Sequence, residues 1–310
     1  MGEEGLDGIR FIERGWLSSN LVLIHGAADE EGALLVDSGH GLDSQQTVET
    51  VRSALQGQRL AAILNTHLHP DHCGGNARLQ QQFGAQAYVP LGEAALARRW
   101  EEADLFHGQA GQYCPRFRVH RTVQEGERIQ AGGRSWELLA APGHDPHALM
   151  LFDAESGALI TADALWAQGA AVVMGELLGE PGGLDAAEWT LDAIARLPVR
   201  RVFPGHGPCF DQVAPALAQA RAVLQRWRAD PALHARHAAR ALLKFHLMEA
   251  RQEPLAGTLI WACGVPLLRR LWERWGPAGT AGPGEWAQLL LDELLARGLA
   301  RREGDEILNI

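Results

Sequence analysis

The sequence lacks the features that mark several broad classes of protein. Its 310 residues include only four cysteines, which are widely spaced, form no CxxC pair and predict free thiols rather than a disulfide framework. No apolar run reaches the roughly 18 residues that a membrane helix needs, and the start of the chain, MGEEGLDG, has neither the basic nor the apolar part of a signal peptide. These absences predict a cytoplasmic protein without membrane contacts, and they leave its oligomeric state open.

Positive charge is scarce as well. The chain has 28 Lys and Arg residues against 38 Asp and Glu residues, which gives a formal net charge of −10. Residues 211–310 hold 13 of the basic and 11 of the acidic residues, so the acidic excess belongs to residues 1–210. Because nucleic-acid-binding surfaces are usually basic, this charge disfavours nucleic acid as the main partner and favours a small-molecule substrate.

Short apolar runs alternate with helical patterns over the first two thirds of the chain. An apolar run at residues 61–64 leads into a polar loop, a helical pattern at 76–83 and another strand at 86–89. This order of strand, loop, helix and strand predicts a layered α/β architecture. Further strands are predicted at 21–24, 33–37, 119–123, 136–140, 149–152, 159–162 and 199–203, with a helix at 184–197.

Residues 213–310 have a different composition. They are rich in Ala, Leu and Arg with helical periodicity to about residue 275, and a Gly- and Pro-rich break follows at 276–284. An amphipathic helix is predicted at 285–297, and a charged turn at 301–305 leads into a short strand, which together are typical of a winged helix. The sequence therefore predicts an α/β catalytic domain over residues 1–212 and a small, mainly helical, winged-helix-like domain after it.

A dense cluster of polar residues is the strongest indication of chemistry. His67, His69, Asp71 and His72 follow an apolar strand and precede a Gly-Gly pair. Three imidazoles and a carboxylate are costly to bury unless each finds a partner, and a metal such as zinc accepts both kinds of ligand. The pattern therefore predicts a metal site on the loop after this strand.

Three later residues fit the same site. His144, Asp163 and His206 each come just after an apolar strand, within Pro142-Gly143-His144, Ala162-Asp163 and Gly205-His206. Loops at strand ends are where a rigid scaffold usually presents functional side chains. We therefore expect these residues to complete the metal site.

Together with Asp37 in Val36-Asp37-Ser38-Gly39, these residues resemble the metallo-β-lactamase superfamily over roughly residues 10–212. The resemblance implies an αβ/βα sandwich that binds two Zn2+ ions, with Mn2+ or Fe2+ as alternatives. It also implies that Asp37 supports the site from behind. In this arrangement one metal takes His67, His69 and His144, the second takes Asp71, His72 and His206, and Asp163 bridges both.

Two positions narrow the resemblance. Asp163 stands where true β-lactamases have Cys or Ser, so β-lactam hydrolysis is not the expected role. His69 stands where flavin-linked di-iron members have Glu, which favours a hydrolytic, glyoxalase II-like site. The family often has Gly-His-Thr-Pro-Gly where this chain has Gly143-His144-Asp145-Pro146-His147, so the substrate preference of typical members need not transfer.

The predicted reaction is hydrolysis of a small-molecule thioester, ester or lactone. Two metals about 3.5–4 Å apart would hold a bridging hydroxide as nucleophile, and Asp71 would move its proton. We expect the pocket walls to come from residues 92–118, residues 164–184 and the helical tail.

Three alternatives remain open at this stage. The first is a phosphodiesterase or ribonuclease that binds nucleic acid through the winged-helix tail. The second is a persulfide dioxygenase-like enzyme with a single iron held by a His-His-Asp set. The third is a binding module in which the metal site is vestigial and the tail performs the function.

Overall fold

The computed structural model describes residue 6, residues 8–27 and residues 32–310, and two β-sheets form its centre. Pairing in the first sheet is antiparallel among its first three strands and parallel among the rest. In spatial order these strands are β1 (Ile9–Ile12), β2 (Leu21–Ile24), β3 (Ala33–Val36), β4 (Leu60–Leu64), β5 (Gln86–Pro90) and β6 (Val119–Val123).

The second sheet has five strands, which run in the spatial order β11-β10-β9-β8-β7. They are β7 (Arg128–Ala131), β8 (Arg134–Ala140), β9 (Leu149–Asp153), β10 (Ala158–Ala162) and β11 (Arg201–Pro204). Neighbours pair antiparallel except β10 and β11, which are parallel. Buried apolar side chains such as Leu64, Trp136 and Phe203 pack between the two sheets.

Helices cover the outer faces of both sheets. In chain order they are α1 (Ser44–Ala54), α2 (Pro70–Cys73), α3 (Asn76–Phe83), α4 (Leu91–Arg99), α5 (Phe106–Ala110), α6 (Met174–Leu178), α7 (Gly183–Arg196), α8 (Val213–Ala229), α9 (Pro231–Ala250), α10 (Leu255–Gly264), α11 (Pro266–Trp275) and α12 (Pro283–Ala296). Val51 of α1 and Leu79 of α3 pack on the first sheet, and Leu191 of α7 and Leu224 of α8 pack on the second. The layers are therefore helix, sheet, sheet and helix, which agrees with the sandwich that the family resemblance implies.

Helices α9 to α12 form another apolar core together with residues of α5 and α6. Leu243, Leu268, Trp286 and Leu290 are buried at its centre. A three-stranded sheet in the order β12 (Gln252–Pro254), β14 (Glu306–Asn309), β13 (Ala300–Glu303) packs beside them. Helix α8 packs instead on the second sheet of the sandwich. The division into two domains at residue 212 stays a prediction.

The structure corrects some of the predicted elements. Strands β1 and β7 were missed because they are four residues long and Arg128 and Gln130 of β7 are exposed, which leaves little apolar signal. Strand β13 covers part of the predicted charged turn at 301–305, because Arg301 pairs with Leu308 across the hairpin.

All four cysteines are free thiols, and they range from buried Cys73 and Cys114 to exposed Cys263. Among the described residues, no helix combines the length and the apolar character needed to span a bilayer.

Candidate metal centre

The seven side chains that the sequence pattern singled out lie together. They reach one place because each follows a strand of the sandwich or lies on the one-turn helix α2. Their donor atoms fall into two groups, and within each group all donor atoms lie within 4.8 Å of one another. One group is His67, His69 and His144, and the other is Asp71, His72, Asp163 and His206.

Asp163 faces both groups at once. Its Oδ2 lies 3.4 Å from Nε2 of His144, and its Oδ1 lies 3.4 Å from Nε2 of His72. One carboxylate therefore directs each of its oxygens to a different set of donors. This is the geometry that a bridging ligand between two neighbouring cations needs.

The short helix α2 places the second group. Proline is well suited to the first turn of a helix because its φ is already helical and its missing N–H would have no partner there. Pro70 begins the helix directly after His69, and the amides of His72 and Cys73 donate to the His69 carbonyl. One turn of helix therefore carries Asp71 and His72 to the neighbouring group of donors.

A buried carboxylate fixes the orientation of His72. Nδ1 of His72 donates to Oδ2 of Asp37 at 2.8 Å, so its Nε2 is the nitrogen that faces the donor group. The backbone amide and hydroxyl of Thr66 also donate to Asp37, at 2.9 and 2.8 Å. Asp37 has a φ of 58°, a left-handed conformation that Asp tolerates better than most residues. Its predicted place behind the site agrees with these contacts.

The Thr66 hydroxyl also sets the tautomer of His67. Because this hydroxyl donates to Asp37, it accepts from Nδ1 of His67 at 3.1 Å. In the first group, His144 is fixed in the same way, since its Nδ1 donates to the Val172 carbonyl at 2.6 Å. The Nε2 lone pairs of both imidazoles are therefore left for a ligand, which is the usual arrangement of metal-binding histidines.

Gly205 leaves the space that the site needs. A Cβ at this position would lie 2.4 Å from Oδ1 of Asp163 and 3.0 Å from the Cε1 atom of His72. The preceding strand is also unusual, because Ala162 has a φ of 46° next to an irregularity in the pairing of β10 with β11. No local sequence pattern marked this glycine as part of the site, because steric contact across the fold leaves no local trace.

Two buried nitrogen atoms test whether a metal fits here. Nε2 of His67 and Nε2 of His72 are buried and have no hydrogen-bond partner among the described residues. Leaving such an atom without a partner costs about 1–3 kcal/mol. Divalent cations bound by these imidazoles and carboxylates would remove that cost, and the donor types suit zinc and similar ions. The residues present therefore fit a divalent metal site.

Burial keeps His67 and His69 neutral. Burial and, to a smaller extent, the neighbouring imidazoles lower the pKa of His67 well below its ordinary value and that of His69 to about 3. Neutral imidazole is the form that binds a metal. Both side chains therefore have a free lone pair at neutral pH.

The two carboxylates of the second group are ionised. Burial raises the pKa of Asp71 and Asp163, but His72 and the other imidazoles outweigh it, so the pKa of Asp71 falls to about 2 and that of Asp163 falls well below its ordinary value. Burial lowers the pKa of His72, yet Asp163, Asp71 and Asp37 together raise it well above its ordinary value. These carboxylates create a field that favours positive charge at this position, as a bound cation would supply.

Aromatic residues that the sequence analysis did not single out surround the centre. Trp16 stacks on His206 with ring centroids 5.1 Å apart, and Phe106 contacts His69 at 3.9 Å between centroids. Nε1 of Trp166 donates to Oδ1 of Asp163 at 3.2 Å. These three aromatic residues are far apart in sequence and have no spacing pattern, so nothing local marked them as part of the site.

A cavity of about 860 Å3 opens from the centre. Phe106 and Trp166 line it near the donor groups, whereas Trp227 of α8 and Phe245 of α9 line it on the helical side. The prediction that residues 92–118, 164–184 and the helical tail supply the walls is confirmed.

Comparison with known proteins agrees with this geometry. The sequence profile of the metallo-beta-lactamase superfamily matches residues 14–206. A hydroxyacylglutathione hydrolase from a Synechococcus strain is 32% identical over 161 residues, which are 49% of this chain and 53% of that protein. The chain thus spans about half the length of the curated relatives that it matches first.

Solved structures extend the likeness beyond the matched segment. A beta-lactamase domain protein from Burkholderia ambifaria superposes with a TM-score of 0.58 at 23% identity, over 99% of this chain and 94% of its own. A protein crystallised in a di-iron-bound form has a TM-score of 0.52 at 26% identity, over 68% of this chain and 98% of its own. The profile match, the fold and the two donor groups lead to one conclusion, that this chain belongs to the metallo-beta-lactamase superfamily.

Proposed function

We propose that this protein is a binuclear metal-dependent hydrolase that acts on a small-molecule thioester, with esters and lactones as related substrates. The observation that carries the proposal is the position of Asp163, whose two oxygens face two different groups of donors. Under this proposal His67, His69 and His144 hold one cation, and Asp71, His72 and His206 hold the other.

The chain's own residues have defined roles in this reaction. Bound cations would supply Lewis acidity toward the scissile carbonyl and would lower the pKa of water. Asp71 lines the cavity and its lowered pKa keeps it ionised, so it accepts a proton from the attacking water. Nε2 of His206 lies 3.1 Å from Oδ2 of Asp71, so these two donor atoms converge on one position. The aromatic rings of Trp16, Trp166 and Phe106 limit access of bulk water to the reacting carbonyl.

Zinc is the ion that we propose, with manganese and iron as alternatives. Imidazole nitrogens and carboxylate oxygens suit all three ions, so the donor set alone does not choose among them. The di-iron form of a structural neighbour supports iron as the first alternative. A cytoplasmic location also stays a prediction, which fractionation of cells would test.

We propose that the C-terminal part shapes the substrate pocket. Helix α12 and the β13–β14 hairpin follow the order of a winged helix, but the hairpin arginines face acids, with Arg301 2.8 Å from Glu303 and Arg302 3.7 Å from Asp305. Leu299, just before the hairpin, lines the cavity instead. These contacts favour a role at the pocket over binding of nucleic acid.

The first test combines metal analysis with three probe substrates. We expect about two metal ions per chain in protein purified without added metal, and turnover of a thioester in preference to a lactone or a bis-aryl phosphodiester. One iron per chain without hydrolysis would favour the persulfide dioxygenase alternative. Turnover of the phosphodiester alone would favour the nuclease alternative, and full function after His69→Ala would favour a vestigial site.

A further inference from the structure

We propose that the acyl group of the substrate is large and apolar and is bound along helix α9, in the cavity beside the metal centre. This inference rests on the proposed hydrolase function and deepens it. Small-molecule pockets usually enclose about 300–1,000 Å3, so a cavity of about 860 Å3 is large for a short hydroxyacyl group. The volume alone does not identify the ligand. The chemical character of the residues that line the cavity does.

Helix α9 forms a continuous wall of this cavity. Lining residues recur along it from Leu233 to Met248 at helical spacing, which is about 22 Å at 1.5 Å per residue. The inner part of this face is apolar, with Ala241, Phe245 and Met248 one turn or less apart. Trp227 of α8 adds an aromatic surface to the same cavity. A chain of many methylene groups would therefore meet apolar side chains along its length.

This apolar surface begins at the metal centre itself. The Phe106 ring contacts His69 at 3.9 Å between centroids and also packs against the core of the helical part. On the other side, the loop that carries Val172 both lines the cavity and accepts the hydrogen bond of His144. An acyl carbonyl held at the donor groups would thus have its hydrocarbon chain directed onto apolar side chains.

A row of cations runs along the outer edge of the same helix face. Arg236, Arg240 and Lys244 are four residues apart, so they lie above one another on α9 and all line the cavity. Arg236 and Arg240 share one acid, Glu293, and Lys244 donates to the Leu299 carbonyl and to Asn309. The row therefore keeps a net positive charge. An apolar floor with a cationic edge matches an amphiphile, and we assign the edge to an anionic carrier thiol.

The reaction of such a substrate is ordinary hydrolysis. Water adds to the acyl carbon, the carbon–sulfur bond breaks, and the products are a fatty acid and the free thiol of the carrier. One proton from water goes to the departing thiolate, and no oxidant or reductant is consumed. The carrier needs only an anionic group within reach of the α9 cations, as the phosphates of coenzyme A provide.

A series of acyl-coenzyme A thioesters with two to twelve acyl carbons tests the proposal on the metal-loaded enzyme. Burying one methylene contributes about 0.8 kcal/mol, which is close to a fourfold change. We expect kcat/KM to rise at least tenfold between four and eight carbons. A flat series, or one that falls with chain length, overturns the inference while leaving thioester hydrolysis intact. Absence of turnover for every member, although the thioester probe of the first test is hydrolysed, would also overturn the inference. Absence of turnover for that probe as well would contradict the proposed function itself.

A variant that fills the cavity separates binding of the acyl group from catalysis. Ala241→Trp places a large ring in the lining, and Ala232→Trp on the same helix is the matched control because Ala232 is exposed and outside the lining. We expect Ala241→Trp to lower kcat/KM for the eight-carbon substrate at least tenfold and that for the two-carbon substrate less than threefold. Equal losses for both substrates would contradict the assignment. The series on the unmodified enzyme decides the question even if Ala241→Trp does not fold.

A comparison of two substrates tests whether the cationic edge binds the carrier. Octanoyl-coenzyme A and octanoyl-N-acetylcysteamine share the acyl group but only the first carrier is anionic. We expect the Arg240→Gln variant to raise KM for the coenzyme A substrate at least threefold and to leave KM for the uncharged substrate unchanged. An equal effect on both substrates would show that the edge does not bind the carrier.

Discussion

The metal centre and the cavity beside it are built in different ways. The centre uses polar side chains from short segments that each follow a strand or begin a helix, and most of them are buried. The cavity is lined mainly by apolar side chains from loops and helices that are far apart in sequence. Most residues of the centre have a specific hydrogen-bond partner, whereas the cavity lining depends on shape. The residues that would perform the reaction therefore come from short segments at strand ends, whereas the residues that would select the substrate are spread over the fold.

The largest effect is expected from a substitution at the point shared by the two donor groups. Asp163→Asn replaces one carboxylate oxygen by an amide nitrogen that cannot bind a cation. Metal ions supply several kcal/mol of transition-state stabilisation, so we expect kcat/KM to fall at least about a thousandfold at 1.4 kcal/mol per tenfold. Steady-state kinetics and metal analysis would show this loss.

The matched control for Asp163→Asn is a buried carboxylate outside the centre. Asp153 is buried in β9 and bonds Arg134 and Ser156. Asp153→Asn should lower stability but leave metal content unchanged. If Asp163→Asn retained two metals and full activity, Asp163 would matter no more to the metal centre than a buried carboxylate outside it.

A smaller effect is expected where the backbone approaches the centre. Gly205→Ala adds a Cβ that would lie 2.4 Å from Oδ1 of Asp163, so the carboxylate must move. A displacement of about 1 Å at a reacting centre can cost about a hundredfold in rate. Gly15→Ala is the control, because a Cβ there meets no atom within 4 Å. Equal kinetics of the two variants would show that the centre tolerates changes of shape as readily as the cavity does.

The support behind His72 should matter less than the ligands themselves. Asp37→Asn keeps the side-chain shape and suits the left-handed backbone, but its amide has no charge to hold the Nδ1 proton of His72. Loss of such a supporting contact typically costs about 10–100-fold in metal affinity. Competition with a chromogenic chelator would measure this affinity, and a value unchanged from the parent protein would show that Asp37 only shapes the turn.

The smallest effect is expected from a change on the helical side of the cavity, and we expect it in the free energy of unfolding. His234 is buried, stacks on Trp227 at 4.1 Å and accepts the Val173 amide with its Nε2. Burial and, to a smaller extent, His237 lower its pKa from 6.5 to about 3. Between pH 6.5 and 3 the unfolded chain therefore binds the proton that the folded chain excludes, so stability falls as the pH falls.

Above pH 6.5 this histidine contributes no pH dependence. Below that value its share of the slope is at most about 1.4 kcal/mol per pH unit. His234→Gln can still accept the Val173 amide through its side-chain oxygen, and it removes the titrating group. We expect urea unfolding of this variant to give a shallower pH dependence between pH 6 and 5 than the parent protein. If the variant and the parent protein showed the same pH dependence of the free energy of unfolding, His234 would not be the buried group that titrates with a lowered pKa.

The amino-acid sequence by itself determined the chemistry of this protein. Strand β2, strand β6 and helix α3 agree with their predicted bounds. For β2 the reason is that a short apolar run has few alternatives to a buried strand. The seven donor residues could be named in advance because metal ligands of these types must follow rigid strands to meet with correct geometry. Asp37 could be identified in the same way, by its position in a motif.

Only the tertiary structure set the shape of the cavity through which a substrate would reach these residues. Trp16, Trp166 and Phe106 surround the centre, yet nothing near them in sequence marks them, because their contacts are with residues brought together by folding. The wall along α9 depends on how that helix packs against α8, α11 and α12, and its apolar residues look in sequence like ordinary core. Side-chain chemistry is a property of each residue, whereas the shape of a cavity is a property of the packing between distant elements.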